Sequence, residues 1–246
     1  MSTDLDRLLP WLPRAREAWL PRAGKAEPLV LRAWLSEPLA TYRRGEVTIE
    51  GPLQHAVVIA ASGVHPGSAF AGFPGDLLAD VPIPIVDAIT PHGPIACASW
   101  ARRSPDARET GLMHVHKPEA EQLGARVVYI TGGEAKPKRA IVPTVAATWL
   151  EWGIVADRER LLALLPGVRA LGKWRGGLGS VSHWEVIPSR EDYSLTRGGS
   201  PARALPVADE AEAMERFPTG YVLDMQTTRA PYWHQSTRRL VACPPC

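Results

Sequence analysis

The chain has 246 residues, of which 45% are hydrophobic and 22% charged, and its formal net charge is +2. This composition excludes a disordered polar chain, and the small charge means that any nucleic-acid function must come from local clusters of Lys and Arg. No apolar run reaches the roughly 18 residues of a membrane-spanning helix, the N-terminus does not resemble a signal peptide, and three cysteines are too few for a disulfide framework, so we expect a cytoplasmic protein with no membrane partner.

The first predicted elements are a short helix, a strand and a second helix. Residues 3–19 predict an amphipathic helix interrupted by Pro10 and Pro13. Apolar residues then alternate along 28–35, which is typical of a strand buried on at least one face. After a polar loop over 36–51, Pro52 lies at a first helical position and the helix is expected to end near Gly63.

The middle of the chain predicts a hairpin followed by a charged excursion. Residues 63–80 indicate an irregular connection, and two apolar strands are hinged at 91–94. The charged stretch 101–125 has little periodicity and is interpreted as an insertion from a hairpin. A strand is expected over 126–132, followed by a turn that contains Lys136, Lys138 and Arg139.

The last predicted elements complete a small antiparallel sheet. Asp157 is expected to cap a helix whose apolar face consists of Leu161, Leu162, Leu164 and Leu165. A glycine-rich loop then leads into a strand over 181–189. The remainder is predicted to be loop-rich, with short strands near 219–225 and 237–243. The order strand, helix, strand, strand, helix, strand predicts an α+β, ferredoxin-like fold with long insertions. The predicted division is a helical extension over 1–27, a core over 28–188 and a C-terminal extension over 189–246.

The glycine-rich loop has the chemistry of an anion-binding site. Its glycines allow close backbone approach and expose successive amide hydrogens, its two cations add charge, and its tryptophan offers a stacking surface. The loop residues are Gly172, Lys173, Trp174, Arg175, Gly176, Gly177, Leu178, Gly179 and Ser180. A tight helix-to-strand connection with flanking charges would give the same pattern. The spacing excludes a nucleotide-hydrolase loop and a dinucleotide fingerprint.

A ferredoxin-like unit whose second helix is followed by a basic glycine-rich loop resembles the RAMP superfamily of CRISPR-associated proteins, which have RNA-recognition-motif-like folds. Within it, the chain resembles the small cap subunit of type IV effectors, the counterpart of the fifth-numbered Cas family. The segments that carry this resemblance, in chain order, are 38–58, 171–186, 200–206, 230–234 and 242–245.

The resemblance implies a noncatalytic subunit that binds the 5′ handle of the CRISPR RNA and nucleates assembly of the backbone subunits. It places residues 172–179 at the RNA backbone and makes 101–125 a thumb-like insertion. The implied partners are the CRISPR RNA, the backbone and large subunits, and target DNA near the end of the complex. No cofactor is implied.

Three further basic clusters fit an RNA path. They consist of Arg43 and Arg44 after the first strand, of Lys136, Lys138 and Arg139, and of Arg102, Arg103 and Arg108 in the insertion, where Asp106 and Glu109 are mixed with them. Each cluster taken singly is also compatible with a solvated loop face. Their convergence on one RNA path is therefore a hypothesis.

Two other functions remain open. CRISPR RNA-processing endonucleases share the superfamily fold and need no metal, and His55 with Tyr42, Arg43 and Arg44 could form such a site. The long stretch after Gly179 favours the cap subunit, because the processing enzymes usually carry their glycine loop close to the C-terminus. The third possibility is an assembly subunit that mainly contacts proteins.

Other notable pairs have structural interpretations. His114 and His116 share a strand face but have no further ligand at suitable local spacing, so no metal site is predicted. Cys243 and Cys246 are interpreted as part of a tail, and Trp149 and Trp152 as core or subunit contacts.

Overall fold

The computed structural model describes residues 9–40, 47–63, 81–116, 138–172, 178–228 and 238–245, with 112–116 and 138–142 confined to the backbone. Its helices are α1 (Leu12–Trp19), α2 (Glu50–Ser62), α3 (Arg158–Leu164) and α4 (Glu210–Arg216). None of these described helices is long and apolar enough to cross a membrane.

A four-stranded antiparallel sheet forms the centre of the fold. Its strands are β1 (Ala26–Leu35), β5 (Arg102–Arg103), β8 (Trp149–Asp157) and β9 (Val181–Pro188), in the order β5-β8-β1-β9. Two connections, β1-α2-β5 and β8-α3-β9, each join parallel strands that have one strand between them. This is the ferredoxin-like order, so the predicted α+β fold with its antiparallel sheet is confirmed.

The alternating pattern of β1 separates two faces of this sheet. Leu29, Leu31 and Ala33 are buried on the helix side, where they join one core with residues of α2, α3 and β8. Trp152 is fully buried there and its Nε1 donates to the carbonyl of Val47 at 2.9 Å, which confirms the core interpretation of this tryptophan. Arg32 and Trp34 point to the opposite face.

Four smaller groups of strands, in the part of the chain that the structure describes, surround the central sheet. One hairpin pairs β3 (Asp87–Thr90) with β4 (Gly93–Ala96), as predicted, and another pairs β10 (Thr196–Arg197) with β11 (Ser200–Pro201). A three-stranded sheet has the order β2 (Leu39–Ala40), β7 (Lys138–Ala146), β6 (Arg108–His116). A second has the order β12 (Leu205–Pro206), β14 (Arg238–Cys243), β13 (Val222–Thr227).

Several local predictions are corrected. Within the charged stretch 101–125, residues Arg108–His116 form β6, which pairs with β7 and was not predicted as a strand. Lys138 and Arg139 open β7 rather than lying in a turn. Leu162 is 47% exposed, so it is not part of the buried face of α3. Cys243 is buried in β14 and is not part of a tail.

α4 was missed within the predicted loop-rich region because its sequence, EAEAMER, has almost no apolar face. Asp209 caps this helix by accepting from the backbone N–H of Glu212 at 2.9 Å. Acidic residues in its first turn and Arg216 in its last complement the helix dipole. Capping and charge therefore define this helix more than hydrophobic periodicity does.

The N-terminal segment is attached to α3 through Asp157. As predicted, Asp157 caps α3, accepting from the N–H of Arg160 at 3.3 Å. It also accepts from Arg22, whose Nε lies 2.7 Å from Oδ2 and whose Nη2 lies 2.8 Å from Oδ1. The Arg22 guanidinium holds the pKa of Asp157 well below its usual range.

The Arg22–Asp157 pair predicts that the difference in stability between the wild type and Asp157→Asn depends on pH. Because the pKa of Asp157 is lower in the folded than in the unfolded state, its contribution is complete above the unfolded value and is lost as pH falls below about 4. Asp157→Asn keeps a good cap but removes the charge, so we expect it to lower the free energy of unfolding by about 1–2 kcal/mol at neutral pH. Urea unfolding from neutral pH to about pH 3 should show the gap narrowing as the wild type loses the pair.

Asp209→Asn is the matched control, because Asp209 also caps a helix but is exposed, and within the described ranges no Arg contact accompanies the cap. We expect this variant to differ from the wild type by less than about 0.5 kcal/mol at any pH. A gap for Asp157→Asn that stayed constant down to about pH 3 would show that the charge of Asp157 does not stabilise the fold.

Candidate nucleic-acid interface

The predicted glycine loop is closed at its base by a short antiparallel pairing. The backbone N–H of Leu171 donates to the carbonyl of Gly179 at 2.9 Å, and that of Val181 donates to the carbonyl of Arg169 at 2.9 Å. Lys173, Trp174, Arg175, Gly176 and Gly177 lie outside the described residues. The two ends of the loop are thus held together where β9 begins.

Gly172 and Gly179 satisfy a backbone requirement at this base. Their φ angles are +65° and +74°, in the left-handed region that favours glycine. A Cβ at Gly179 would lie 2.2 Å from the carbonyl oxygen of Leu171, and one at Gly172 would lie 2.7 Å from that of Ala40. Both positions therefore require glycine for the close approach as well as for the backbone angle.

The segment 36–40 packs against this base. Pro38 accepts from the N–H of Gly179 at 2.9 Å, and the N–H of Ser36 donates to the carbonyl of Ser180 at 3.0 Å. Ala40 is followed directly by 41–46, where the predicted RNA-binding residues Arg43 and Arg44 lie outside the described residues, as does Tyr42. Two of the predicted basic segments therefore start from the same place, at Ala40 and Gly172.

The third basic segment is more distant. Ala40 pairs with Thr144 of β7, and Lys138 lies six residues back along that strand, about 20 Å away at the rise of an extended strand. Arg139 is next to it on β7, and Lys136 falls outside the described residues. The structure therefore places Lys138 and Arg139 along the β6–β7 ribbon, away from the base of the glycine loop.

Arg102 and Arg103 lie on β5, at the opposite edge of the central sheet from β9. Arg102 Nη1 is 3.3 Å from Glu151 Oε1, and Arg103 Nη1 is 3.2 Å from Glu109 Oε1. Because each has a carboxylate neighbour, these two predicted RNA-binding residues present less net positive charge than their sequence suggests.

His55 is half-buried on α2. Its proposed catalytic neighbours Tyr42, Arg43 and Arg44 belong to the segment that is not described, so the endonuclease site stays a prediction. Among the described residues, no group of three or more His, Cys, Asp or Glu side chains could hold a metal. His114 and His116 are on β6, and Cys246 is outside the described part of the chain.

Sequence reasoning missed a row of aromatic rings across the open face of the central sheet. In the strand register, Trp34 lies opposite both Trp149 of β8 and His183 of β9. The rings of Trp34 and His183 are stacked, with centroids 5.3 Å apart and an interplanar angle of 12°. These positions alternate with core residues in sequence, but only the register across three strands brings them together.

A row of alternating charges lies beside the aromatic row. Arg32 Nη2 is 2.8 Å from Glu151 Oε2, Arg32 Nη1 is 3.2 Å from Glu185 Oε2, and Arg102 contacts the other oxygen of Glu151. The Arg32 guanidinium also lies 4.8 Å from the ring centre of Trp149, a cation–π contact. Two cations and two anions make this row neutral in sum.

The segment after β9 covers only part of this face. A Cβ on Gly153 would lie 2.8 Å from the backbone of Tyr193, so the glycine allows Tyr193 to cross the sheet there. The Arg197 guanidinium lies 4.7 Å from the ring centre of Tyr193, and burial lowers the pKa of Arg197. At the other end of the face, His183 stays exposed.

No protein-family model and no curated protein matches the sequence. Among solved structures, the chain is similar to one chain in a cryo-EM structure of the Type III-B Cmr-β complex bound to cognate target RNA, with 13% identity and a TM-score of 0.34. The match covers 67% of this chain and 61% of the other, which is less than two thirds of its length.

Proposed function

We propose that this chain is a noncatalytic RNA-binding subunit of a type IV CRISPR effector complex, which holds the 5′ handle of the CRISPR RNA and nucleates assembly of the backbone subunits. The observation that carries the proposal is the meeting of two predicted RNA-binding segments at Ala40 and Gly172. The ferredoxin-like sheet supports it, because the loop follows the second helix of that fold and opens its last strand.

The chemistry of the two segments suits an RNA backbone. Glycine-rich backbone with exposed amide hydrogens binds phosphate oxygens, and Lys173, Arg175, Arg43 and Arg44 supply full positive charges. Trp174 offers a face on which a base can stack, a contact worth about 1–3 kcal/mol per base. In this proposal the phosphate contacts position the handle and stacking adds to its affinity.

Contacts with neighbouring subunits are assigned to the parts outside the central sheet. The β6–β7 ribbon pairs nine residues on each strand and extends from the same end of the core as the glycine loop. Its mixture of Arg, Lys, Glu and His suits a polar protein surface or the guide RNA. The backbone subunits, the large subunit and target DNA near the end of the complex are the partners we propose.

The salt dependence of RNA binding tests the loop. Replacing Lys173 and Arg175 by Ala should weaken binding of handle RNA and reduce the magnitude of the slope of log affinity against log salt by about 1.4, because each phosphate contact on single strands contributes about 0.7. Fluorescence anisotropy with a labelled handle RNA over a range of KCl concentrations measures both quantities. Lys25→Ala with Arg190→Ala is the charge-matched control.

Lys25 and Arg190 are both exposed and lie at the far end of β1 from the loop. If the control variant reduced the salt slope of RNA binding as much as the loop variant did, Lys173 and Arg175 would not be specific RNA contacts. The bound RNA is then run on a denaturing gel in the presence of a chelator. A discrete product that disappears in His55→Ala would contradict the noncatalytic proposal in favour of an RNA-processing endonuclease.

A further inference from the structure

The exposed end of the aromatic row has the properties of a stacking site. Trp34 and His183 already form a parallel pair, and His183 is exposed on β9, which forms an edge of the sheet. The Ser182 hydroxyl lies 3.2 Å from Nδ1 of His183 and helps to orient the ring. A flat aromatic ligand placed on His183 would extend the existing pair by one ring.

The charged row beside it indicates which flat ligand fits. Glu185 stands two residues from His183 on the same face, about 7 Å along the strand. Its Oε2 contacts Arg32, whereas Oε1 has no hydrogen-bond partner within the described part of the chain. This free oxygen can accept a hydrogen bond from an amino group, and it would repel a phosphate or a carbonyl oxygen.

The position of the site connects it to the glycine loop. His183 lies four residues after Gly179, at most about 13 Å away at the rise of an extended chain, and β9 begins between them at Val181. We infer that the open sheet face holds one unpaired base of the RNA bound by the glycine loop, stacked on His183 and hydrogen-bonded through its exocyclic amino group to Glu185. This inference rests on the proposed function and adds a preference for adenine or cytosine over uracil.

Binding of short labelled oligo(rA), oligo(rC) and oligo(rU) to the full chain tests the site. His183→Ala should weaken oligo(rA) binding by about tenfold, within the range of base–aromatic stacking, and leave the salt slope unchanged because no phosphate contact is lost. His183→Phe keeps an aromatic face and should bind almost as the wild type does. Glu185→Gln should reduce the preference for oligo(rA) and oligo(rC) over oligo(rU).

His92→Ala is the control, because His92 is a half-buried histidine on the β3–β4 hairpin, away from the open face, and should change nothing. Equal affinities for wild type and His183→Ala, with the slope still sensitive to Lys173 and Arg175, would overturn this inference and leave the proposed function intact. Loss of affinity in His183→Phe as large as in His183→Ala would also overturn it, since stacking would not be the contact. Failure of the wild type to bind any RNA would overturn both.

Discussion

Replacing Arg203 by Met should lower the free energy of unfolding by about 3–5 kcal/mol, because it breaks a buried ion pair by removing its cation. The Arg203 side chain is 1% exposed, and its Nη1 lies 2.7 Å from Oε1 of Glu50, which is 4% exposed. The same guanidinium donates to the backbone carbonyls of Ala96, Ala98 and Thr228. Arg203 therefore joins the C-terminal part of the chain to α2 and to the residues after β4. Urea unfolding at neutral pH measures the loss.

The double variant Arg203→Met, Glu50→Met separates the ion pair from the carbonyl contacts. Replacing both charges by apolar side chains also removes the buried carboxylate that Arg203→Met separates from its arginine, and should recover part of the loss. The carbonyls of Ala96, Ala98 and Thr228 still lose the guanidinium as a donor. Arg216→Met is the control, because Arg216 pairs with Glu212 on the surface of α4 and should contribute less than about 1 kcal/mol. If Arg203→Met were as mild as Arg216→Met, the buried pair would not hold these parts together.

Local patterns were sufficient to predict most elements of the core. The alternation along β1, the cap at Asp157 and the left-handed Gly63 at the end of α2 each depend on neighbouring residues, and each is present in the structure. β6 could not be recognised, because its charged sequence shows little alternation of apolar and polar residues. The strand is stabilised instead by its pairing with β7. The burial of Arg203 could not be predicted from the local sequence, since Glu50, Ala96, Ala98 and Thr228, which it contacts, lie 25 or more residues away in the chain.

One part of the candidate site could likewise be predicted from local sequence, and another part could not. The glycine loop was recognised from its composition. The structure shows in addition why glycine is required at positions 172 and 179, and that the segment 36–40 contacts the base of the loop. The aromatic row required the register of three strands, of which β1 lies more than 100 residues before the other two, so no local pattern could reveal it. The acid partner of Arg102 is Glu151 on β8, 49 residues away, so the local sequence did not reveal it either.

Replacing Gly179 by Ala should be far more damaging than the same change at another left-handed glycine. A non-glycine residue in this backbone region costs about 1–2 kcal/mol. At Gly179 the added Cβ would also lie 2.2 Å from the carbonyl oxygen of Leu171 and 2.9 Å from the side chain of Leu39. The pairing that closes the loop must therefore open or shift, and we expect a loss of about 3 kcal/mol or more in the free energy of unfolding, in the range of special backbone positions and overpacking.

Gly198→Ala provides the matched comparison, because Gly198 has a φ of +57° and a Cβ there would meet nothing within 4 Å. It should show only the backbone cost of about 1 kcal/mol.

Under the proposed function, Gly179→Ala should in addition weaken binding of handle RNA, since the ends of the loop no longer meet at the segment that leads to Arg43 and Arg44. Gly198→Ala should leave this binding unchanged. Equal losses of stability in the two variants would show that the close approach of Leu171 is relieved without opening the loop. Unchanged RNA affinity in a destabilised but folded Gly179→Ala variant would show that the closed base of the loop is not needed for RNA binding.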